Sequence, residues 1–260
     1  MKAQVIKILF AFLLCAVAPH AFAAADDALS DSLSTNWAGY TATGGTYTAV
    51  GATWTIAAPA TTTTLSTDAT WIGVGGVRRG DLLQAGTQAA SENGKVQYWA
   101  WYELLPDYQQ TIPMAVHGGD RVKVSLTQLV DDLWQLSFYD LTTGNEYQKT
   151  ITYHSSRASA EWIEEMPVVT SKGQEIFAPL SNFGSVTFDD AYATTGGVPK
   201  TLQKLRAQSV AMVSRQGHVV LATPSLIDAD SFVVKRSSAT ASVPTTSSKR
   251  RSTIVIVWTQ

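Results

Sequence analysis

Along much of the chain, apolar and polar residues alternate one by one. "YTAVGATWTIA" (47–57), "RVKVSLTQLV" (121–130), "LWQLSFYDL" (133–141), "EYQKTITYH" (146–154) and "STIVIVWTQ" (252–260) all carry the pattern. A period of two gives a strand one buried and one outward face, so each run predicts a half-buried β-strand. No long run follows the period of a helix. Turn-forming clusters separate the strands: "ATGGTY", "SENGK", "HGGD" and "TTGN". "DLTTGNEY", set between two alternating runs, predicts a hairpin. Many short strands at close spacing predict an all-β domain, a two-sheet antiparallel sandwich. One stretch, "PKTLQKLRAQSVAMVS" (199–214), has room for a short helix on a connection. The polar, basic segment 234–252 reads as a long loop before the last strand, because a dozen neutral residues split its charges.

"ASAEWIEEMP" (158–167) gathers three glutamates in a chain poor in charge. As a helix, Glu161, Glu164 and Glu165 would share a face. As a strand, Glu161, Ile163 and Glu165 share one face while Trp162 and Glu164 take the other. The ordinary expectation for such a cluster is a solvated face. The all-β surroundings select the strand, with Glu161 and Glu165 pointing the same way. Pro167 then ends it, as at an edge or strand terminus.

Composition adds a compartment. Lys2 and Lys7 precede the apolar run "ILFAFLLCAVA", and Ala21, Phe22 and Ala23 give the small-x-small pattern of a signal peptidase site, so residues 1–23 read as a signal peptide. The run is too short for a membrane span. Cys15, the only cysteine, would leave with it. The mature chain, 24–260, is expected to be a secreted single domain with no thiol for a disulfide, a metal or nucleophilic attack. Without Lys2 and Lys7, 17 basic residues face 21 acidic ones, a net charge near −4. That balance gives no pull toward nucleic acid or anionic membrane.

Several chemistries lack their signatures. No G-x-S-x-G, H-E-x-x-H or C-x-x-C occurs, and "GVGGVRRG" (73–80) fails the dinucleotide pattern at Arg78. His117, His154 and His218 stand at no ligand spacing, so no metal or other cofactor is expected. Carboxylates, a carboxamide and tryptophans remain. A glutamate can act as general base on water, an amide can donate to an oxyanion, and tryptophan can wall an apolar cleft. The same residues suit a carbohydrate-binding sandwich, or a glycosidase pairing Glu103 or Glu161 with Glu165.

In their order along the chain, eight segments resemble the glutamic peptidases, the eqolisin family of secreted, acid-acting endopeptidases. "STNWAGY" is similar to the family's N-W-G/A-G, "TWIGVGG" to A-W-V-G-I-D-G, "LLQAG" to I-L-Q-T-G and "YWAWYELLPDY" to Y-D-A-W-Y-E-W-Y-P. "GGDRVKVSLT", "DLTTGNEYQKTIT", "SAEWIEEM" and "APLSNFGSVTF" follow its later motifs, over residues 34 to 188 in all. The resemblance implies a concanavalin A- or lectin-like sandwich, a metal-free endopeptidase, protein or peptide substrates and a monomer. It implies Gln84 and Glu165 as the catalytic pair, with Glu161 as the next carboxylate. Trp101 and Glu103 match the A-W-Y-E motif of the cleft, and Trp37 and Trp71 match tryptophans near it. Glu161 is grouped with them as substrate-binding. Gln84 separates this reading from the carbohydrate ones, which give "LLQAG" no reason for glutamine. A homologue that has lost activity is the further alternative, because the chain departs from the motifs. Gly75 and Trp99 stand where aspartates are usual, which implies a thinner carboxylate network around Glu165. Glu164 stands where an aliphatic residue is usual. About ten residues separate the expected cleavage from "TNWAGY", too few for a long inhibitory propeptide.

Overall fold

The computed structural model describes residues 30–77, 79–171, 174–217, 219–238 and 255–256. The expected signal peptide, and most of the expected loop at 234–252, lie outside these residues. In chain order the strands begin with β1 (Ser32–Ser34), β2 (Trp37–Thr43), β3 (Tyr47–Thr55), β4 (Ser66–Gly75), β5 (Leu82–Glu92), β6 (Lys95–Leu104) and β7 (Gln110–Thr111). They continue with β8 (Arg121–Val130), β9 (Leu133–Asp140), β10 (Glu146–Thr152), β11 (Ser159–Glu165), β12 (Val168–Ser171) and β13 (Gln174–Phe177). The last are β14 (Ser185–Thr195), β15 (Val198–Thr201), β16 (Gln208–Val213), β17 (Val220–Pro224), β18 (Phe232–Arg236) and β19 (Val255–Ile256). The helix expected within 199–214 is a single turn, Leu202–Leu205, and most of the remaining segment is strand.

Hydrogen bonds run through one layer in the order β6-β5-β4-β11-β2-β16, antiparallel throughout. The other layer follows β14-β3-β8-β9-β10, also antiparallel. β17 and β18 carry the pairing from β16 across to β14. The short β1 departs from the antiparallel rule, pairing parallel with β16 and β19. The hairpin expected at 140–147 is β9–β10.

The alternation decides what each layer buries. Val122, Val124 and Leu126 of β8 face Trp134, Leu136 and Phe138 of β9 on one side, with their polar neighbours on the other. This face meets Ile72 and Val74 of β4, Leu83 of β5 and Trp162 of β11 in the main core. Burying each such side chain stabilises the fold by roughly 1.5–3 kcal/mol. The first layer is also apolar on its outer face, where Trp37, Ala69, Trp71, Leu82, Trp101, Ile163 and Val210 form a second cluster. β4 is therefore buried on both faces along its whole length. β11 is a central strand between β2 and β4, not an edge; Glu161 and Glu164 are fully buried and Glu165 is partly buried. Among the described residues no helix is long and apolar enough to cross a membrane.

Candidate active site

The site is built by register. On β11, Ala160 and Trp162 turn into the main core, so Glu161, Ile163 and Glu165 share the outer face. Pairing with β2, β4, β5 and β6 aligns three rows across that face. The first reads Glu161, Gly73, Gln84, Glu103. Ile163, Trp71, Gly86 and Trp101 make the second. The third reads Trp37, Glu165, Ala69, Gln88, Trp99. Neighbours within a row lie about 4.8 Å apart and rows about 7 Å apart. Gln84, Glu165, Trp37, Trp71, Trp101, Glu103 and Glu161, chosen from the sequence on five separate segments, therefore fall on one surface of one sheet.

Glycines give this surface its relief. A Cβ on Gly86 would lie 2.2 Å from the backbone oxygen of Thr70 and 2.6 Å from the Cβ of Trp71, so the close approach of the two strands leaves room only for glycine. A Cβ on Gly73 would meet Leu82 Cδ1 at 2.9 Å, Trp71 Cζ3 at 3.0 Å and Glu161 Oε2 at 3.2 Å, so the glycine makes room for all three side chains, the Glu161 carboxyl among them.

Glu165 is held by donors on both oxygens. Trp71 Nε1 donates to Oε2 at 2.7 Å, and Asn36 Nδ2 donates to Oε1 at 3.0 Å. Ser34 Oγ in turn donates to Asn36 Oδ1 at 3.2 Å, which fixes the amide's orientation. Burial pushes the Glu165 pKa up to about 7; bonds from Trp71, Trp37 and Asn36 oppose the rise, and Glu103 adds to it. Gln84 Nε2 donates to Glu103 Oε2 at 2.5 Å. Burial also raises the Glu103 carboxyl, against its bonds to Gln84 and the Gln109 backbone. Glu161 has no exposed surface, and burial carries its pKa to about 8.

Two cavities flank Glu165. Gln84, Glu161, Glu165, Asn36 and Asp81 line the first, between apolar walls that include Trp37 and Leu82. The second lies between Glu165, Glu103, Trp101, Gln88 and Tyr108. Glu165 is at their junction, and Gln84 opens into the first. Trp71 is wholly buried beneath the face and serves as a donor to Glu165.

The departures from the family motifs have local causes. A side chain at Gly75 would strike the backbone oxygen of Asp81 at 2.3 Å, because the loop after β4 folds back on it. That loop also sets Asp81 among the residues lining the first cavity, with its carboxylate accepting from the Ser156 backbone N–H at 2.6 Å. Trp99 packs against the outer apolar cluster beyond Gln88. Glu164 turns the other way, into the core.

Asn36 and Asp81 are the residues that sequence reasoning missed. Asn36 stood inside the quoted "TNW", where the tryptophan drew attention. Nothing local marked Asp81. His117 and His154 pair with Asp120 and Asp132, and among the described residues no three side chains form a metal-ligating group.

A β-sandwich whose outer sheet face carries a held glutamate, a buried glutamine and tryptophan walls defines a class in which a carboxylate and an amide flank a cleft. The pattern of the Peptidase A4 family matches residues 35–236, and the chain belongs to that family. Aspergillopepsin-2 of Aspergillus niger is 32% identical over 133 residues, 49% of this chain and 46% of that protein. Scytalidopepsin B of Scytalidium lignicola is 28% identical over 149 residues, 54% and 56% of the two chains. The chain thus spans about half the length of these curated relatives. Among solved structures, scytalido-glutamic peptidase with a peptide-based transition-state analogue superposes with a TM-score of 0.68 at 23% identity, covering 78% of this chain and 98% of that one. Aspergilloglutamic peptidase from Aspergillus niger gives 0.58 at 28%, covering 66% and 99%. The fold expected from alternation is the fold of these glutamic peptidases.

Proposed function

We propose that this protein is an exported, monomeric endopeptidase that hydrolyses peptide bonds on the acid side of neutrality, with Glu165 and Gln84 as its catalytic pair. The observation that carries the reading is that both side chains open into one cavity with complementary hydrogen-bonding capacity. Glu165, ionised, takes a proton from a water lying between it and Gln84, and that water attacks the scissile carbonyl. Gln84 Nε2 has two protons, of which Glu103 engages one; the other is available to the oxyanion of the tetrahedral intermediate. Glu165 then returns its proton to the leaving amine. Trp101, Trp37 and Glu103 line the clefts on either side, where they contact the substrate. Water is the nucleophile, so no acyl-enzyme accumulates.

The site electrostatics refine the pH range. A base whose pKa is raised to about 7 is sparsely ionised well below that pH. Activity therefore belongs in the upper, mildly acidic part of the range that the family resemblance implies. Its alkaline side falls as buried acids lose their protons. Peptide substrates are supported by the neighbouring folds: one was solved with a peptide-based transition-state analogue, another with the tripeptide Ala-Ile-His.

The test is cleavage of casein or a peptide by the purified chain from pH 2 to 8 with a chelator present, beside Gln84→Ala and Glu165→Gln. Activity that survives the chelator and disappears in both folded variants supports the reading. A folded but inert wild type sinks it. So would a pre-steady-state burst with an ester substrate.

A further inference from the structure

The reaction scheme leaves three buried oxygens without a partner: Glu161 Oε1, Glu161 Oε2 and Gln84 Oε1. They belong to one row. Glu161 and Gln84 stand in register on either side of Gly73, facing the same way, with the ends of the Leu82 and Trp71 side chains also reaching the space over the glycine. The carboxyl leans over that glycine, and both residues line the same cavity. The Ser159 hydroxyl beside Glu161 gives its proton to the Gly75 carbonyl at 2.9 Å, so these enclosed acceptors carry the cost of unmade hydrogen bonds. Turning the Gln84 amide over does not relieve this, because it would place Oε1 against the Glu103 carboxylate and forfeit the bond from Nε2. A proton on Glu161 does relieve it, making one of the three oxygens a donor.

We propose that Glu161 is the positioning residue of Gln84: as a carboxylic acid it donates to Gln84 Oε1, directly or through one water, and so holds Nε2 toward Glu103 and the oxyanion. This rests on the Glu165–Gln84 reading of the site. The surroundings keep the proton in place. Burial raises the Glu161 pKa, the nearby Ser159 hydroxyl opposes the rise and Asp81 adds to it. Of the titratable groups around it, Glu165 stands on its own strand, Glu103 ends its row on β6, and Asp81 comes from the loop between β4 and β5. Tyr47 of β3 and Tyr153, whose hydroxyl bonds Leu82 and Leu105, complete the set. None of the residues lining the cavity is cationic. Below the Glu161 pKa the acid holds the amide. Above it the donor is lost, a carboxylate faces Oε1, and the oxyanion donor is no longer fixed.

The experiment compares kcat and KM against pH for the wild type, Glu161→Gln and Glu161→Leu, at a temperature where circular dichroism shows each folded. Glutamine keeps a donor that does not titrate. It is expected to retain kcat within about threefold, and to lose the part of the alkaline limb that Glu161 sets. Leucine fills the space without a donor. Its kcat is expected to fall about 10- to 100-fold, less than removing the oxyanion donor itself, with KM nearly unchanged. A Glu161→Leu enzyme turning over like wild type would overturn the proposal. So would a glutamine variant as impaired as the leucine one, or one that keeps the wild-type alkaline limb. Gln84→Ala separates the two levels. If it remains active, the catalytic pair itself is wrong; if it is inert while Glu161→Leu is fully active, only the positioning role fails.

Discussion

One strand presents carboxylates to two different environments. On the outer face of β11, Glu165 is partly exposed at the junction of two cavities and bonded by Trp71 and Asn36. On the inner face, one residue away, Glu164 is sealed in the core. Its partner there is Thr70, whose hydroxyl donates at 2.7 Å. Asp68, two residues along β4 from Thr70 and on the same face, is equally enclosed and accepts a bond from Ser181. Burial raises the pKa of Glu164, and Asp68 raises it further; burial carries Asp68 to about 7. Both faces make acids weaker, but only the outer one leaves substrate and water a way in. Access, not proton affinity, is what distinguishes the two carboxyls. The inner pair makes the folded chain a better proton binder than the unfolded chain, so it couples stability to pH.

Substitutions on the two faces should therefore separate activity from stability. The largest effect belongs to the outer face: Glu165→Gln should cut kcat/KM by ~100- to 10,000-fold, the usual worth of a general base. Its thermal unfolding should stay close to wild type. An unfolded Glu165→Gln chain, or an active one, would erase the division.

Next comes the inner face. An acid whose folded pKa is raised contributes stability that is complete below its unfolded pKa and is lost as pH climbs toward the folded value. For Asp68, the rise to about 7 predicts a loss on the order of 4 kcal/mol between about pH 4 and pH 7. Denaturant unfolding across that range should show a loss in Asp68→Asn that is smaller than in wild type by about that amount, while kcat at the optimum changes little. The remaining slope comes from the other raised acids, Glu161, Glu164 and Glu165. Equal slopes in the two proteins would remove Asp68 from the account.

Smaller effects test how the outer carboxyl is held. Trp71→Phe removes the Nε1 donor and keeps most of the ring, so the Glu165 pKa should rise and the acid limb of kcat/KM should move upward by about one unit. Asn36→Ala should shift it in the same direction by less, since its bond is the longer and the last of the causes that lower the pKa. An acid limb that moves downward in either variant would mean that Glu165 does not set it.

Much of this could be read from local pattern. The alternation of Arg121–Val130 and Leu133–Asp140 placed two strands with their buried faces correct. The spacing of Glu161 and Glu165 placed them on one face before any neighbour was known. The motif resemblance named residues that the register then aligned. What local pattern missed was set by partners distant in sequence. The glutamates read as a solvated face, because nothing within "ASAEWIEEMP" tells that β2 and β4 will flank it and that both its sides will be covered. Gly75 read only as an absent acid, because nothing near it in sequence shows that the Asp81 backbone will pack against it and leave no room for a side chain. Glu164 departs from the motif in a way the sequence shows, yet its companion Asp68 lies almost a hundred residues away.

The sequence by itself determined the strands, the side of each strand on which a residue falls, and the residue types available for chemistry. Those follow from the two-residue period of an extended chain and from side-chain chemistry, both of them local. The tertiary structure alone decided which rows those residues share, which carboxyls reach a cavity and which are sealed in the core. Such outcomes depend on register and burial, set by strands far apart in the chain.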